Sequence, residues 1–414
     1  MNAHMSPPFE GRFQGHFDPR GTAERLASEF ASRAEANDRA GVVDSESIDA
    51  LKSSGLTSLT VPRRLGGPDI ALPVLVDVVS TIARADPATA LILAMQLYHC
   101  RSVAYSKTWP AAVRDAVLRS ILDDGAMINA LRVEPELGSP SRGGVPATTA
   151  HRTANGWRLT GRKRYSTGSS QLTWAVVWAA TQDGEPQRVG EFLVPLTARG
   201  VRIEHTWDHL GLRASDSHDV IFEDVALPAN YAVDIRPSDA WSGRDEPLNA
   251  WLPILLAALY DGVARSAYDW LLAWVESRTP SGLGASLSNV PRIRQVVGEI
   301  AGYLETNALL LWRAKDQYQV DEARHAEPLK STHTSHALNA PPLSFGLVKY
   351  TVTQNAIAAI NRAVEVSGNH ALSRRNPLER HFRDVLCSRI HHPQNDLILD
   401  GAGAAALADN ATAF

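Results

Sequence analysis

Imidazole is the chemistry most readily read from this chain. His391 and His392 stand in tandem in Ile390-His-His-Pro393, and His99 closes Met95-Gln-Leu-Tyr-His99 at or just past the end of an apolar run. An imidazole donates, accepts and changes charge near neutral pH, so such groups suit proton movement and hydrogen bonding to developing charge. Gln96 shares a face with His99 where a helical turn separates them. Most histidines are surface or satisfied core groups, so position must decide between these uses. Hydroxyls gather in Tyr165-Ser166-Thr167 and in Arg213-Ala-Ser215, although a lone strand threonine is ordinarily packing. The two cysteines, Cys100 and Cys387, cannot build a disulfide framework and show no metal-type spacing. No metal site and a reducing, cytoplasmic setting are therefore expected.

These groups need elements to hold them. The chain has 414 residues, 44% hydrophobic and 21% charged, an ordinary folded composition long enough for two or three domains. Its 41 basic and 45 acidic side chains leave a formal charge of −4, which excludes a global field drawing it to nucleic acid or anionic lipid. A small-molecule substrate fits better. Residues 1–20 lack the apolar core of a secretory signal and read as a loose arm. The longest apolar runs, such as 251–260, are too short for a membrane span of roughly 20 residues.

Helical periodicity predicts an N-terminal helical domain over 21–126, with a capped start at Asp44-Ser-Glu-Ser47 and a turn at Arg84-Ala-Asp-Pro87 feeding an apolar helix. Short alternating runs predict a small antiparallel β-barrel or sandwich over 127–235. Long helical patterns return over 246–405 as a C-terminal bundle. They are interrupted at 327–345, where Pro, His, Ser and Thr accumulate in a loop or lid, and 401–414 reads as a small-residue tail. The expected class is α+β, in the order helices, β-module, four-helix bundle.

Three motifs inside that frame carry a family resemblance. Glu134-Pro-Glu-Leu-Gly-Ser139, Gly161-Arg-Lys-Arg-Tyr-Ser-Thr-Gly168 and Trp207-Asp-His-Leu-Gly-Leu-Arg-Ala-Ser-Asp-Ser217, continued by His218-Asp-Val-Ile-Phe222, resemble the middle domain of acyl-CoA dehydrogenases and their relatives. The resemblance extends over about 21–405. It implies a homotetramer or homodimer binding a flavin, FAD or FMN, between the β-domain and the C-terminal helices. It also implies that Thr167, with Tyr165 and Ser166 beside it, meets the reactive edge of the flavin ring. Val133 and Ser139 fall in the loop that meets the ring or phosphate, and Val133 replaces the usual hydroxyl residue, so only its backbone contributes there. Arg278 falls where relatives reach a neighbouring subunit's cofactor, and Ser367 and Gly368 are assigned to the cofactor with it. Arg213 and Ser215 line the flavin or the substrate entrance.

The reaction turns on a missing carboxylate. A dehydrogenase of this family needs a Glu beside the flavin, shortly after an Arg-Asp pair, yet the matching stretch after Arg383-Asp384 carries His392 at the Glu position. The other family location, within Trp251-Leu-Pro-Ile-Leu-Leu256, is wholly apolar. The C-terminal signature, Val364-Glu-Val-Ser-Gly368 followed by Asn376-Pro-Leu-Glu-Arg380, resembles the two-component flavin monooxygenases, such as those acting on dibenzothiophene, hydroxyphenylacetate and amino sugars. That branch implies reduced flavin from a separate reductase, dioxygen as oxidant, His391 on the oxygen side with His392 next to it, and His99 and Gln96 in the pocket. Two alternatives stay open: a dehydrogenase or oxidase with a differently placed base, and a silent relative that binds a ligand or partner.

Overall fold

A computed structural model of the chain describes residues 13, 17–137, 144–181, 188–238, 246–326 and 343–411. Helices α1 (Pro19–Ala40), α2 (Ser45–Ser54), α3 (Leu72–Ala85), α4 (Pro87–Ala104) and α5 (Ala111–Asp124) form the first block. Asp44 caps α2 by accepting from the Ser47 N–H, and Asp86 caps α4 by accepting from Ala88 and Thr89 with Pro87 at the first helical position. Both starts are where the sequence signals them.

Eight strands follow among the described residues: β1 (Ile128–Leu131), β2 (Thr149–Thr153), β3 (Gly156–Lys163), β4 (Trp174–Thr181), β5 (Arg188–Pro195), β6 (Val201–Glu204), β7 (Asp219–Leu227) and β8 (Ala232–Pro237). They form one sheet in the order β6-β7-β3-β2-β4-β5-β8, with β1 also on β4. The pairings are antiparallel except that β1 and β2 both run parallel to β4. Alternation along a strand reports which face is buried and not which neighbour it pairs with, so those two parallel contacts were not readable from the sequence.

The chain ends in α6 (Glu246–Asn249), α7 (Trp251–Ser277), α8 (Pro291–Ala326), α9 (Phe345–Ser367), α10 (Pro377–Leu386) and α11 (Asn395–Ala411). α7, α8, α9 and α10 pack together as the bundle, and α3 and α4 pack on α7, so one apolar core runs from the first block into the last. α11 covers α9. It also corrects the expected tail at 401–414: alanine and leucine there have high helix propensity and extend the helix to Ala411. Most of the 327–345 loop, namely 327–342, lies outside the described residues, as do 1–12 and 14–16 of the N-terminal arm. No described helix is long and apolar enough to cross a membrane.

Candidate functional site

The site is built where two loops of the β-domain lie together and the second meets α10. The first loop, after β3, carries Tyr165, Ser166 and Thr167. The second, 205–218, is shaped partly by His218, whose Nδ1 accepts from the Thr206 and Trp207 N–H groups at 3.1 and 3.0 Å. Backbone bonds lock the loops together: Ser166 N–H to the His218 carbonyl (3.1 Å), Gly168 N–H to Ser215 (3.0 Å) and Ser169 N–H to Asp216 (3.0 Å).

Thr167 stands at the end of a hydroxyl chain. Ser215 Oγ is 2.8 Å from Ser217 Oγ, which donates to Thr167 Oγ1 at 3.1 Å, while Asn129 Nδ2 donates to the Thr167 carbonyl at 2.9 Å. A hydroxyl that already accepts keeps its own proton to give, so Thr167 presents an outward donor. Tyr165 has φ +59°, a strained value for an aromatic residue, and its ring stays 45% exposed. The Arg164 guanidinium lies 4.5 Å from its centre, and the His209 ring meets it edge-on at 5.7 Å. His209 stacks in turn on Trp207 at 3.7 Å.

The Val133 carbonyl accepts from the Arg164 N–H at 3.0 Å, which brings that residue beside the same loop. The next residue, Glu134, is buried, with Lys163 Nζ at 2.6 Å and the Ala147 and Thr148 N–H groups at 2.7 and 3.0 Å. Desolvation would raise its carboxyl, but the Lys163 charge and these donors outweigh that and hold it below the ordinary value. The pair anchors the loop; the sequence signal was a lysine closing a strand whose inward positions are otherwise apolar.

Across the seam, Gly211 sits so close to α10 that an added Cβ would lie 2.4 Å from the Arg383 carbonyl. Leu212 N–H donates to Asp384 Oδ1 at 2.6 Å. Asp384 is buried, and desolvation, partly offset by that donor, pushes its carboxyl up to about 7. Further along, His391 Nδ1 lies 2.7 Å from the hydroxyl of Tyr260 on α7. Tyr260 is fully buried, its pKa well above 10, so the hydroxyl keeps its proton. Among the described residues that proton has no other acceptor, so Tyr260 donates, Nδ1 accepts, and the neutral ring carries its own hydrogen on Nε2. Burial and the Lys349 ammonium push His391 down to about 4, which keeps the ring neutral at pH 7. Tyr260 and Lys349 were missed from the sequence, since each looks like one more position on a buried helix.

The other expected site residues fall in several places. His392 is exposed next to His391, and His99 is half-buried with its ring edge against Tyr98 at 4.8 Å. Gln96, expected near the substrate, is buried, and its amide bonds backbone, donating to Thr57 and Ala126 and accepting from Ile128 N–H. It staples α4 to β1. Arg213 likewise donates to the Asp38 and His209 carbonyls at 2.9 and 3.2 Å, and Ser215 is buried inside the hydroxyl chain. Ser367 Oγ returns to the Ala363 carbonyl of its own helix, and Gly368 turns the chain at φ +55°. Arg278 is exposed at the C-terminal end of α7 with its guanidinium over Trp274. Ser139 lies outside the described residues. Trp251 and Ile254 to Leu256 are buried and apolar, and Asp261 beyond them turns away to Arg265 (2.6 Å) and Asn307 (3.0 Å). Among the described residues no cluster of metal-ligating side chains occurs.

The described polar atoms fit a flavin. Ser166 Oγ and Arg164 Nε are both buried without a partner, beside the outward Thr167 hydroxyl, and buried polar atoms are normally satisfied. Family models for the N-terminal, middle and C-terminal domains of acyl-CoA dehydrogenase match residues 19–106, 133–225 and 254–395. YdbM of Bacillus subtilis (strain 168), which carries the family's name, is 30% identical over 382 residues, covering 92% of this chain and 94% of that one. The chain belongs to the acyl-CoA dehydrogenase family. Within this family it is also similar to dibenzothiophene monooxygenase of Mycolicibacterium goodii, 25% identical over 389 residues and 91% of each chain. The crystal structure of KijD3 with FMN and a dTDP-amino sugar shares the acyl-CoA dehydrogenase fold at a TM-score of 0.77 and 24% identity, covering 96% of each chain. The activities named for these two relatives, acyl-CoA dehydrogenase and dibenzothiophene monooxygenase, are both oxidoreductase chemistries.

Proposed function

We propose that the protein is a monooxygenase that takes reduced flavin from a separate reductase and inserts one atom of dioxygen into a small organic substrate. The single observation that carries this reading is the Tyr260–His391 pair, which leaves a neutral imidazole with its N–H on Nε2 next to His392, the position where the dehydrogenases need a carboxylate. A bound flavin supplies the electrons that reduce dioxygen. The chain does the rest: Thr167 donates to the cofactor, Ser166 and Arg164 hold it, Tyr165 packs beside it, and the Val133 backbone closes that side. His391 donates Nε2–H to the oxygen, with His392 and His99 bordering the entrance. Such donors are worth most in a site closed to water. Arg278, Ser367 and Gly368 are assigned to cofactor phosphates, and Cys100 and Cys387, both free thiols, suit a reducing cytoplasm.

The test supplies purified protein with a flavin reductase, reduced nicotinamide and either FMN or FAD, then follows 18O from dioxygen into aromatic sulfur and amino-sugar substrates. Labelled product that requires the reductase supports the reading; oxygen consumption ending only in hydrogen peroxide across the panel overturns it. Asp384 favours a second reading, because a buried carboxyl pushed up to about 7 has the basicity a proton-abstracting dehydrogenase needs. Its engagement with Leu212 N–H counts against that use. Anaerobic bleaching of bound flavin by acyl-CoA substrates, lost in Asp384→Asn, is what this alternative requires.

A further inference from the structure

Lys349 lies in the first turns of α9 and is completely buried. Its Nζ donates to the carbonyls of Ser388 (2.8 Å), Pro393 (3.0 Å) and His391 (3.2 Å), and to Asn395 Oδ1 (3.3 Å). All four acceptors come from one stretch, 388–395, and none is a carboxylate. A buried ammonium without an ion-pair partner costs much more than a methionine of the same length would, and only oriented carbonyl dipoles offset the cost here. The stretch explains the need. It runs from the short turn Cys387–Arg389 to the start of α11 with no longer helix and no strand, so among the described residues the Ser388, His391 and Pro393 carbonyls have no backbone donor. Three of them converge on one ammonium, including that of His391 itself.

We propose that Lys349 is a positioning residue, whose buried ammonium gathers the backbone of residues 388–395 and so holds the His391 ring against Tyr260 with Nε2–H directed outward. The proposal rests on the role given to His391 above, but it concerns where the ring is held and can be tested without oxygen transfer. The groups that face His391 are Tyr260 from α7 and Lys349 from α9, and Asp384 and Cys387 from the α10 side face Tyr260 behind it. Of these only Lys349 grips the main chain of His391.

The experiment compares full-length wild type with Lys349→Met and Lys349→Arg. It reads hydrogen exchange of peptides spanning 388–395 and the rate at which diethyl pyrocarbonate modifies His391, from about pH 5 to 8. In wild type the Nδ1 lone pair is engaged by the Tyr260 hydroxyl, so modification is slow, and the ring is neutral throughout this range, so the rate shows no inflection. In Lys349→Met both exchange and modification rise by about tenfold or more, since three buried carbonyls lose their donor, and the modification rate acquires an inflection near an ordinary histidine value. Exchange in the β-domain stays unchanged, and Lys349→Arg, which keeps the charge, restores the flat pH profile. A folded Lys349→Met variant with wild-type exchange and a wild-type profile overturns the proposal. Should that variant not fold, Asn395→Ala removes one acceptor alone, and a rise of about two- to threefold in His391 modification is expected; no change overturns the proposal. The 18O assay run beside it separates the two claims. Loosening of His391 with no oxygen transfer in wild type leaves Lys349 in its role and removes the reaction; transfer that persists with an unmoved ring does the reverse.

Discussion

In the proposed reaction His391 acts through Nε2, and Tyr260 holds the other nitrogen. Tyr260→Phe leaves the space filled but removes the donor to Nδ1, so the ring no longer prefers the Nε2–H tautomer. We expect oxygen transfer to fall about tenfold with flavin affinity unchanged, and His391→Phe to cost about 10²–10⁴-fold, measured as labelled product under saturating reductase. The same pair predicts a pH effect on stability. Because the folded value of His391, about 4, lies below its ordinary 6.5, the group stabilises the fold fully above pH 6.5 and loses that contribution as pH falls towards 4. Asp384, raised from 3.8 to about 7, has the opposite sign, since its burial costs stability as pH rises through that interval. Denaturant titrations at pH 7 and 5 therefore lose less stability in His391→Phe than in wild type, and an identical loss in both removes His391 from the acid limb. His391 and Thr167 could be singled out as candidates because each belongs to a short motif. Their partners were not, since Tyr260 is 131 residues from His391 and Ser217 is 50 from Thr167.

At the scale of elements, the seam depends on how closely the 205–218 loop approaches α10. Gly211→Ala places a methyl group 2.4 Å from the Arg383 carbonyl and 2.9 Å from Asp384 Cα, both on a rigid helix, so the loop must move away. Its retreat breaks the Leu212–Asp384 bond and disturbs the Ser215–Ser217–Thr167 chain behind it. Such overpacking costs roughly 1–3 kcal/mol. The expected result is a lower melting temperature together with weaker flavin binding in a titration, whereas a variant that melts lower but binds flavin normally shows the seam to be independent of the cofactor loop. The order of helices, strands and helices was readable because periodicity reports burial, and the caps at Asp44 and Asp86 were readable because capping is local. The parallel pairings of β1 and β2 with β4, the helical tail and the stapling use of Gln96 were not. Each is decided by neighbours distant in sequence or by propensity overriding a loop-like composition.

At the scale of the molecule, Arg278 and the Tyr260–His391 pair stand far apart along one helix. Arg278, the C-cap of α7, is eighteen positions beyond Tyr260, a rise of roughly 27 Å, and its guanidinium is exposed over Trp274 at the outer end. An arginine there is poorly placed for a flavin seated at its own chain's seam and well placed for one held by a second copy. α8 offers such a copy a face: Leu309 and Trp312 lie on one side of the helix, 67% and 58% exposed, where a solvated helix would carry polar groups. This argues for an assembly in which sites are completed across subunits. Sedimentation should show a species larger than one 44.9 kDa chain. The decisive form of the prediction is complementation. Arg278→Glu and His391→Phe chains are each inactive alone, the first through lost flavin affinity and the second through lost chemistry. Co-assembled, they generate some sites with an intact His391 facing an intact Arg278 from the neighbour, so oxygen transfer returns to a measurable fraction of wild type. If each chain built its site alone, no mixture of the two would recover any activity, because every seam would lack either its arginine or its imidazole.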